Sequence, residues 1–377
     1  MRVIAVAFDS FKGSLSSAEA AEAFTQGWRE VYPLCEVRTA YIADGGEGMT
    51  EALVRGTAGR YVTTSATDPL GNPIVARYGI INDDTAAIEL AAAAGLTLLT
   101  AEQRNPLHTT TYGTGEMIMD ALRRGCRKIV LGLGGSATND GGSGILRALG
   151  FRFYNTEGHE LTDSISILEQ VTTIDSSAVE PMVWDMELRV AVDVDNPLYG
   201  ERGAAAVFAP QKGADKAMVE RLDKALRHYA AIAGEEYASV AGAGAAGGVG
   251  YGILAMLKTE LQSGIELVLE VTDFEHLIAD AELVVTGEGR IDSQTLMGKA
   301  PAGVLRYAQR QGVPCIAIGG SVLHSAELEH SGFAAIYAST PATIPLKEAM
   351  QRHTAYNNLK NRAREIALAM QKSPHRQ

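Results

Sequence analysis

Acidic side chains recur where the predicted strands of this sequence end. Asp9 closes "VAFD", Asp44 closes "AYIAD" and Asp193 closes "VAVD". One such carboxylate could accept a proton from a hydroxyl group, and one or two could hold Mg²⁺. The alternative is structural, because aspartate also favours helix N-caps and turns. The acids in these positions are Asp9, Asp44, Glu47, Asp140, Asp193, Asp195, Glu288 and Asp292.

Four basic residues stand beside glycines or within predicted turns, where they could neutralise an anionic ligand. A lysine contributes a point charge, whereas an arginine can grip a carboxylate with two hydrogen bonds. A single loop lysine is commonly just a solvated surface residue, so only a cluster of cations would indicate a phosphate or carboxylate site. The four are Lys12 in "DSFKGS", Lys212 in "APQKGA", Arg290 in "GEGRID" and Lys299 in "MGKAP".

The stretch "GGSATNDGG", residues 134–142, follows the apolar run "KIVLGL". Glycines allow a sharp turn and a close approach of the backbone to a ligand, and successive amides suit phosphate oxygens. The stretch lacks the GK[ST] ending of a Walker A loop and the GxGxxG spacing of a dinucleotide site, so a purely structural turn is the alternative. The candidate phosphate-binding residues are Gly134, Gly135, Ser136, Thr138 and Asn139.

Two other chemistries are disfavoured by the residue pattern. The sequence has no HxH or HExxH spacing, so a zinc site is not expected. It has no GxSxG motif, and no histidine is predicted near Ser136, which disfavours a serine hydrolase. His108 precedes a predicted helix and is interpreted as a loop residue.

Strand and helix patterns alternate at both ends of the chain. "VIAVAF" is typical of a buried parallel strand, and Ser16 and Ser17 open an amphipathic helical segment. "LVVTGEG", "CIAIGG" and "AAIYAS" repeat this alternation after residue 273, which brings the number of parallel strands to five. We therefore predict a doubly wound parallel-sheet domain, flavodoxin-like or Rossmann-like, built from both chain ends.

The middle of the chain has a different pattern. Runs rich in β-formers, separated by the turn clusters "DPLGNP" and "NDDT", predict an antiparallel meander, and further strands and helices follow. We predict an α/β protein of two domains, with residues 1–60 plus 273–377 forming the parallel domain. Residues 61–272 form an inserted mixed-sheet α/β domain, and the active site is expected in the cleft between the two.

Composition limits the possible partners and the compartment. The 377-residue chain has a net charge of −12, which disfavours nucleic acid and anionic membrane as partners. No apolar run is long enough to span a bilayer. Cys35, Cys126 and Cys315 show no CxxC spacing, which indicates free thiols and a cytoplasmic protein.

Taken in order along the chain, the motifs resemble the bacterial glycerate kinase family, of the type that phosphorylates the 2-hydroxyl group of D-glycerate. The resemblance extends over residues 9–322, and an ordered series is far more specific than any one motif. One position departs from the family pattern, since Phe8 stands where proline usually precedes "DSFKG". The matching stretches are "DSFKGSLSS", "ADGGEGM", "TDPLGNP", "GTGE", "GLGGSATNDGG", "DVDNPLYG", "FAPQKGA", "GAGAAGGVGYG", "SGIELVLE", "TGEGRIDSQTLMGK" and "IGGSV".

This resemblance implies two α/β domains and an ATP- and Mg²⁺-dependent transfer that yields 2-phosphoglycerate and ADP. On that basis Asp193 or Asp44 would be the general base or a Mg²⁺ ligand, and Lys12 and Arg290 would meet the glycerate carboxylate or the transferring phosphoryl group. The nucleotide would be bound by Gly134, Gly135, Ser136, Thr138, Asn139 and Lys212, the substrate by Asp9, Glu47, Glu288, Asp292 and Lys299, and the metal by Asp193 and Asp292.

Several alternatives stay open at this point. The chain could phosphorylate the 3-hydroxyl group or another small hydroxy acid, or it could be a non-catalytic protein that responds to nucleotide. An NAD-dependent dehydrogenase is disfavoured because no GxGxxG follows the first strand. The expected oligomeric state is a monomer or a homodimer.

Overall fold

The structure is a computed structural model that describes residues 1–372. The chain forms two compact units. The first contains Met1–Asp44 and the chain from Ile265 onward, and the second is Gly45–Gly264. The sequence prediction places the two changeovers at residues 60/61 and 272/273, somewhat later along the chain.

Strands and helices are numbered here along the chain. The strands are β1 (Val3–Phe8), β2 (Glu36–Thr39), β3 (Arg60–Thr67), β4 (Pro73–Ile81), β5 (Thr85–Glu89), β6 (Lys128–Gly132), β7 (Arg152–Tyr154), β8 (Glu160–Leu161), β9 (Thr173–Asp175), β10 (Glu187–Val192), β11 (Leu261–Ser263), β12 (Leu283–Ile291), β13 (Cys315–Val322) and β14 (Ala335–Ala338). The helices are α1 (Ser17–Arg29), α2 (Met49–Gly56), α3 (Ala91–Ala94), α4 (Tyr112–Arg123), α5 (Ser143–Ala148), α6 (Ser164–Gln170), α7 (Pro181–Trp184), α8 (Ala204–Phe208), α9 (Lys216–Ala233), α10 (Ala245–Leu257), α11 (Gly264–Val271), α12 (Phe274–Ile278), α13 (Ala300–Arg310), α14 (Ala326–Glu329), α15 (Leu346–Ala349) and α16 (Arg352–Lys372).

The sheet of the first unit has the order β14-β13-β12-β1-β2, and all of its neighbours are parallel. This is the flavodoxin-like arrangement, so the predicted doubly wound sheet is confirmed. The strand order reverses between β1 and β12. In open α/β sheets a ligand binds outside the carboxyl ends of the two strands at such a reversal.

The helices that cover this sheet follow from local sequence. Ser16 and Glu19 form a capping box at the start of α1, since each side chain accepts a hydrogen bond from the other residue's amide. Phe24 and Trp28 then bury themselves beside β1. Gly27 lets α16 come very close, because a Cβ there would stand 1.9 Å from the carbonyl oxygen of Lys360.

The second unit contains a sheet with the order β11-β10-β6-β5-β4-β3. The pairs β3/β4 and β4/β5 are antiparallel, as the meander prediction required, and the other neighbours are parallel. The predicted mixed sheet is therefore confirmed. A small antiparallel sheet with the order β8-β7-β9 was not anticipated, because its strands are too short to show a clear period in the sequence.

Two predictions about the whole chain can be compared with the described residues. Cys35, Cys126 and Cys315 are buried and form no disulfide, as their spacing indicated. None of the described helices combines the length and the apolar character needed to cross a membrane.

Candidate active site

The carboxyl edge of the first unit's sheet brings two buried carboxylates together at the strand reversal. Asp9 follows β1, and its amide donates to the carbonyl oxygen of Gly287 on β12 at 2.9 Å. Glu288 is the next residue of β12. The two acids are only 7% and 9% exposed. The topology thus places both at the position where a ligand is expected.

Asp9 is unusual because little in its surroundings favours its charged form. Burial and then the nearby carboxylate of Asp44 raise its pKa from 3.8 to about 7, while the Ser10 amide, which donates at 2.7 Å, and Lys12 oppose the shift. A carboxylate with a pKa near neutrality is suited to accept and release a proton at physiological pH.

Lys12 provides a cation at the same edge. Its Nζ lies 3.6 Å from Oδ2 of Asp44, and the lysine side chain is 79% exposed while the aspartate is 22% exposed. Asp44 is the main reason that the pKa of Lys12 is raised. An exposed ion pair of this kind contributes little to the stability of the protein. The Lys12 ammonium group can therefore leave Asp44 and turn towards an anionic ligand at a small cost in free energy.

Glu288 is held by neighbours from the turn after β12. Thr295 donates its hydroxyl to Oε1 of Glu288 at 2.7 Å, and Nζ of Lys299 lies 3.7 Å from Oε2. Burial raises the pKa of Glu288, and these two contacts partly offset that rise. Glu288 and Lys299 therefore form a second acid–cation pair at the carboxyl edge.

Arg290 and Asp292 pair with each other in the same segment. Nε of Arg290 lies 3.2 Å from Oδ2 of Asp292. The other oxygen of Asp292 accepts from the amide of Gln294 at 3.0 Å and caps the short turn Ser293–Leu296. Both carboxylate oxygens of Asp292 thus have structural partners, while the Arg290 side chain is 63% exposed and available to a ligand.

In the second unit, the glycine-rich loop that follows β6 exposes only its first residues. Gly135 is exposed and Gly134 half-buried, and in the described part of the chain their amides donate to no protein acceptor. Ser136, Thr138 and Asn139 are at most 6% exposed. The hydroxyl of Thr138 and both polar atoms of the Asn139 amide have no hydrogen-bond partner among the described residues.

Asp140 holds the second half of this loop. Its carboxylate is fully buried and accepts from Thr111 through the amide and the hydroxyl, both at 2.8 Å, and from the amides of Gly142 and Gly144 at 3.1 and 3.2 Å. Burial raises its pKa, and these bonds oppose the rise. Asp140 therefore links the loop to the start of α4, which is a structural role rather than contact with solvent or ligand.

Lys212 reaches the same loop from within the unit. Its Nζ donates to the hydroxyl of Ser136 at 2.8 Å and to the carbonyl oxygen of Thr138 at 2.5 Å. The residue is 2% exposed, and burial lowers its pKa from 10.5 to about 7. The predicted cofactor-binding lysine is thus close to the predicted loop, but its ammonium group faces the protein interior.

A second glycine-rich stretch, "GAGAAGGVGYG", packs against this loop. Ala246, Gly247 and Gly248 have φ values of 53°, 71° and 92°, which kink α10 near its start. A Cβ at Gly247 would stand 2.1 Å from the carbonyl oxygen of Thr138, and one at Gly252 would stand 2.2 Å from that of Gly141. These glycines are needed because two backbones meet there.

Replacing Gly247 by alanine is expected to reduce the free energy of unfolding by about 3 kcal/mol, from the overlap with Thr138 and the left-handed backbone. Urea titration measures it. Gly158→Ala is the matched control, because Gly158 has φ 76° and nothing within 4 Å of its added Cβ. Equal losses in the two variants would show that the close packing of α10 on the loop contributes nothing.

Gly45 and Gly46, which follow Asp44 in "ADGGEG", pack on strand ends of the second unit. A Cβ at Gly134 would stand 2.4 Å from Cα of Gly46, and one at Gly132 would stand 2.5 Å from the carbonyl oxygen of Gly45. The Oδ1 atom of Asp193, at the end of β10, lies 3.5 Å from the Cβ position of Gly45. Asp193 and Glu47 are exposed. The two predicted acids thus lie on loops at the carboxyl edge of this sheet.

Sequence reasoning missed Glu89, which is the last residue of β5 and lies beside Gly132 of β6. Its Oε1 accepts from the amide of Thr50 at 2.7 Å, in the first turn of α2. Burial raises its pKa. Glu89 therefore anchors the helix that follows "ADGGEG". Its position as an acid at a strand end was the available signal, but no glycine-rich turn drew attention to it.

Two motifs of the resemblance have packing roles. The amide and hydroxyl of Thr67 in "TDPLGNP" donate to Glu116 in "GTGE" at 2.7 and 2.9 Å. Asp68 accepts from the amides of Leu70 and Asn72, both at 2.8 Å, and so shapes the β3–β4 turn. These contacts account for both motifs within the scaffold.

Comparisons with known proteins bear on this arrangement. The model of the glycerate kinase family matches residues 4–371. The chain belongs to the glycerate kinase family. It is 45% identical to a glycerate kinase of Bacillus subtilis strain 168 over 98% of each chain, and 43% identical to a glycerate 2-kinase of Escherichia coli K12 over 97% of each chain. A crystal structure of a candidate glycerate kinase 2 from Salmonella typhimurium LT2 superposes with a TM-score of 0.87 at 43% identity, covering 98% of each chain.

Membership of the glycerate kinase family makes the chain a kinase with a small-molecule substrate and a nucleotide co-substrate. The predicted site residues divide between the units. The first unit brings together Asp9, Lys12, Asp44, Glu288, Arg290, Asp292 and Lys299. The second unit contains Glu47, Gly134, Gly135, Ser136, Thr138, Asn139, Asp193 and Lys212.

Proposed function

We propose that the chain transfers the γ-phosphoryl group of ATP to the 2-hydroxyl group of D-glycerate. The observation that carries the proposal is the buried carboxylate of Asp9 at the reversal point of a parallel sheet, where burial raises its pKa to about 7 and where Lys12 and the Glu288–Lys299 pair belong to the same edge. Support for the 2-hydroxyl comes from the similarity to the E. coli protein, whose name is glycerate 2-kinase.

In this proposal Asp9 is the general base. The 2-hydroxyl oxygen forms a bond to the γ-phosphorus, the bond from that phosphorus to the β,γ-bridging oxygen breaks, and ADP leaves. The hydroxyl proton passes to Asp9. Glycerate carries a carboxylate, and Arg290 is the exposed guanidinium able to bind it with two hydrogen bonds. Lys12 and Lys299 neutralise negative charge on the transferring phosphoryl group. Phosphoryl transfer is accelerated mainly by such electrostatic stabilisation and by positioning, rather than by covalent catalysis.

The nucleotide phosphates are assigned to the tip of the glycine-rich loop. The amides of Gly134 and Gly135, which donate to no acceptor among residues 1–372, could donate to phosphate oxygens. Ser136, Thr138 and Asn139, proposed as phosphate ligands from the sequence, are buried and would act through the shape of the loop.

Mg²⁺ is proposed as the metal, and it usually takes one or two carboxylates together with water and phosphate oxygens. No group of three or more potential metal ligands occurs among residues 1–372, which fits such a sparse protein contribution. Asp193, exposed at a strand end, and Asp292 are the candidate ligands, and Asp292 would have to exchange at least one of its structural partners for the ion. When bound, the ion would neutralise negative charge on the phosphates.

A coupled assay tests the function. Mg-ATP and D-glycerate are supplied with enolase alone, and then with phosphoglycerate mutase added. Signal with enolase alone identifies 2-phosphoglycerate. Signal only after addition of the mutase means that the 3-hydroxyl group is phosphorylated. If ADP is released only with another hydroxy acid, that acid and not D-glycerate is the substrate. If no ADP is released with any of them, a nucleotide-responsive binding protein is favoured. Cytoplasmic localisation, absence of a nucleic-acid partner and the monomer-or-homodimer state stay predictions.

A further inference from the structure

We infer that Lys212 is a positioning residue, which sets the shape of the loop of residues 134–142 from inside the second unit and so controls nucleotide affinity without touching the nucleotide. The inference rests on the proposed role of that loop in binding phosphate. It assigns to Lys212 a function different from the direct contact that the sequence predicted.

The geometry separates Lys212 from any ligand on the outer side of the loop. The residue ends the short turn Pro210–Lys212, and Gly213 follows with φ 96°. A Cβ at Gly213 would stand 2.3 Å from the carbonyl oxygen of Arg104. The turn is therefore closely packed, and this packing restricts the position of the Lys212 backbone. The side chain is 2% exposed and points to the loop interior.

The two hydrogen-bond acceptors of Lys212 belong to the residues that directly follow the tip of the loop, Gly134–Gly135. Ser136 immediately follows the exposed Gly134–Gly135 tip, and Thr138 is two residues further on. Lys212 donates hydrogen bonds of 2.8 Å to the Ser136 hydroxyl and 2.5 Å to the Thr138 carbonyl oxygen. Together they hold the segment from Ser136 to Thr138 in one conformation. Gly247 of α10 also packs closely on Thr138, since a Cβ there would stand 2.1 Å from the Thr138 carbonyl oxygen. Thr138 is thus in contact with both Lys212 and the kinked start of α10.

Stability alone does not explain a lysine at this place. A buried ammonium group is unfavourable unless it is paired, and buried ionic groups can often be replaced by apolar ones with little loss of stability. The charged or polar groups that face Lys212 are Ser136, Thr138 and, through electrostatic interaction, the buried Asp140. A flexible apolar side chain could fill the same space, but it could not hold two specific oxygen atoms.

The experiment compares Lys212→Met with the exposed-lysine control Lys224→Met. Loss of the two buried hydrogen bonds that the Lys212 amino group donates predicts a rise of about 10- to 100-fold in the KM for ATP and in the Kd for Mg-AMPPNP, with the KM for D-glycerate changed less than about twofold. Ser136→Ala is the second variant and removes only one acceptor. It should raise the KM for ATP and the Kd for Mg-AMPPNP by a smaller factor. The double variant should have the same two constants as Lys212→Met alone, because the Ser136 hydroxyl acts through its hydrogen bond with Lys212.

The outcomes are distinguishable. A fall in melting temperature without a change in nucleotide affinity, in Lys212→Met and in Ser136→Ala, would overturn the inference and leave Lys212 a structural residue. Additive effects in the double variant would also overturn it. If the wild-type protein binds Mg-AMPPNP but does not phosphorylate glycerate, the proposed substrate fails, and weaker binding by Lys212→Met still supports the positioning role. If the wild-type protein binds no nucleotide, both proposals fail together.

Discussion

Replacement of Asp9 by asparagine is expected to lower kcat by about 100- to 10,000-fold, the usual contribution of a positioned general base. The amide side chain is nearly the same size and can still accept the hydrogen bond that the Ser10 amide donates at 2.7 Å. It cannot take a proton from the hydroxyl group. The measurement is steady-state kinetics with saturating Mg-ATP and D-glycerate.

The same replacement should stabilise the protein at pH 8. The folded-state pKa of Asp9 is raised from 3.8 to about 7, so the folded state holds the proton more tightly than the unfolded state. Stability therefore falls as the pH rises between these values, and the full penalty, on the order of 4 kcal/mol, is present above pH 7. Asparagine removes the buried charge. Lost activity together with raised stability would rule out misfolding as the cause.

The pH dependence provides an independent check on Asp9. In the wild-type protein, kcat/KM should rise with pH and level off above about pH 7, as the base loses its proton. The residual activity of Asp9→Asn should lack this limb. Asp273→Asn is the control, since Asp273 is an exposed aspartate of the same unit, and its φ of 49° suits asparagine. If Asp9→Asn keeps kcat within tenfold of wild type and the same acidic limb, another group is the base.

The scaffold could be predicted from sequence because strong local patterns agree with the global fold. Continuous apolar runs such as "VIAVAF" belong to strands buried on both faces, and the capping pair Ser16 and Glu19 marks a helix start. The strand ends then follow, together with the acids and glycines located there. The short strands of the small antiparallel sheet carry no comparable signal, since two or three residues show no reliable alternation.

The direction in which each polar side chain points was not predictable, because it depends on packing across the chain. Thr138 and Asn139 have the residue types of a phosphate loop, yet α10 covers them, and only the tip at Gly134–Gly135 reaches the surface. The sequence predicts the same role, substrate binding, for Asp9 and Glu288, and it does not show that burial and Asp44 raise the pKa of Asp9 to about 7. The exposure of a polar side chain and the pKa of a carboxylate both depend on which segments, distant in sequence, pack over it.

Removal of the Asp140 carboxylate is expected to give the largest loss of stability. Asp140→Ala would leave three amides and the Thr111 hydroxyl without their buried acceptor, for which we expect a loss of about 3–5 kcal/mol in the free energy of unfolding. Asp140→Asn should lose less, since its carbonyl oxygen can keep the bonds now made by Oδ2. The ordering of the two variants tests whether acceptor capacity, rather than charge, is what the loop requires.

The control for Asp140→Ala is Asp215→Ala, which removes an exposed aspartate that caps α9 by accepting from the Met218 amide at 2.8 Å. Water can replace that carboxylate, so the expected loss is about 1 kcal/mol. The chain's two tryptophans divide between the units, Trp28 in the first and Trp184 in the second. In a Trp28→Phe background, fluorescence during urea unfolding therefore reports the second unit alone. Equal losses for the two aspartates would mean that the buried acceptor is not what holds the glycine-rich loop to α4.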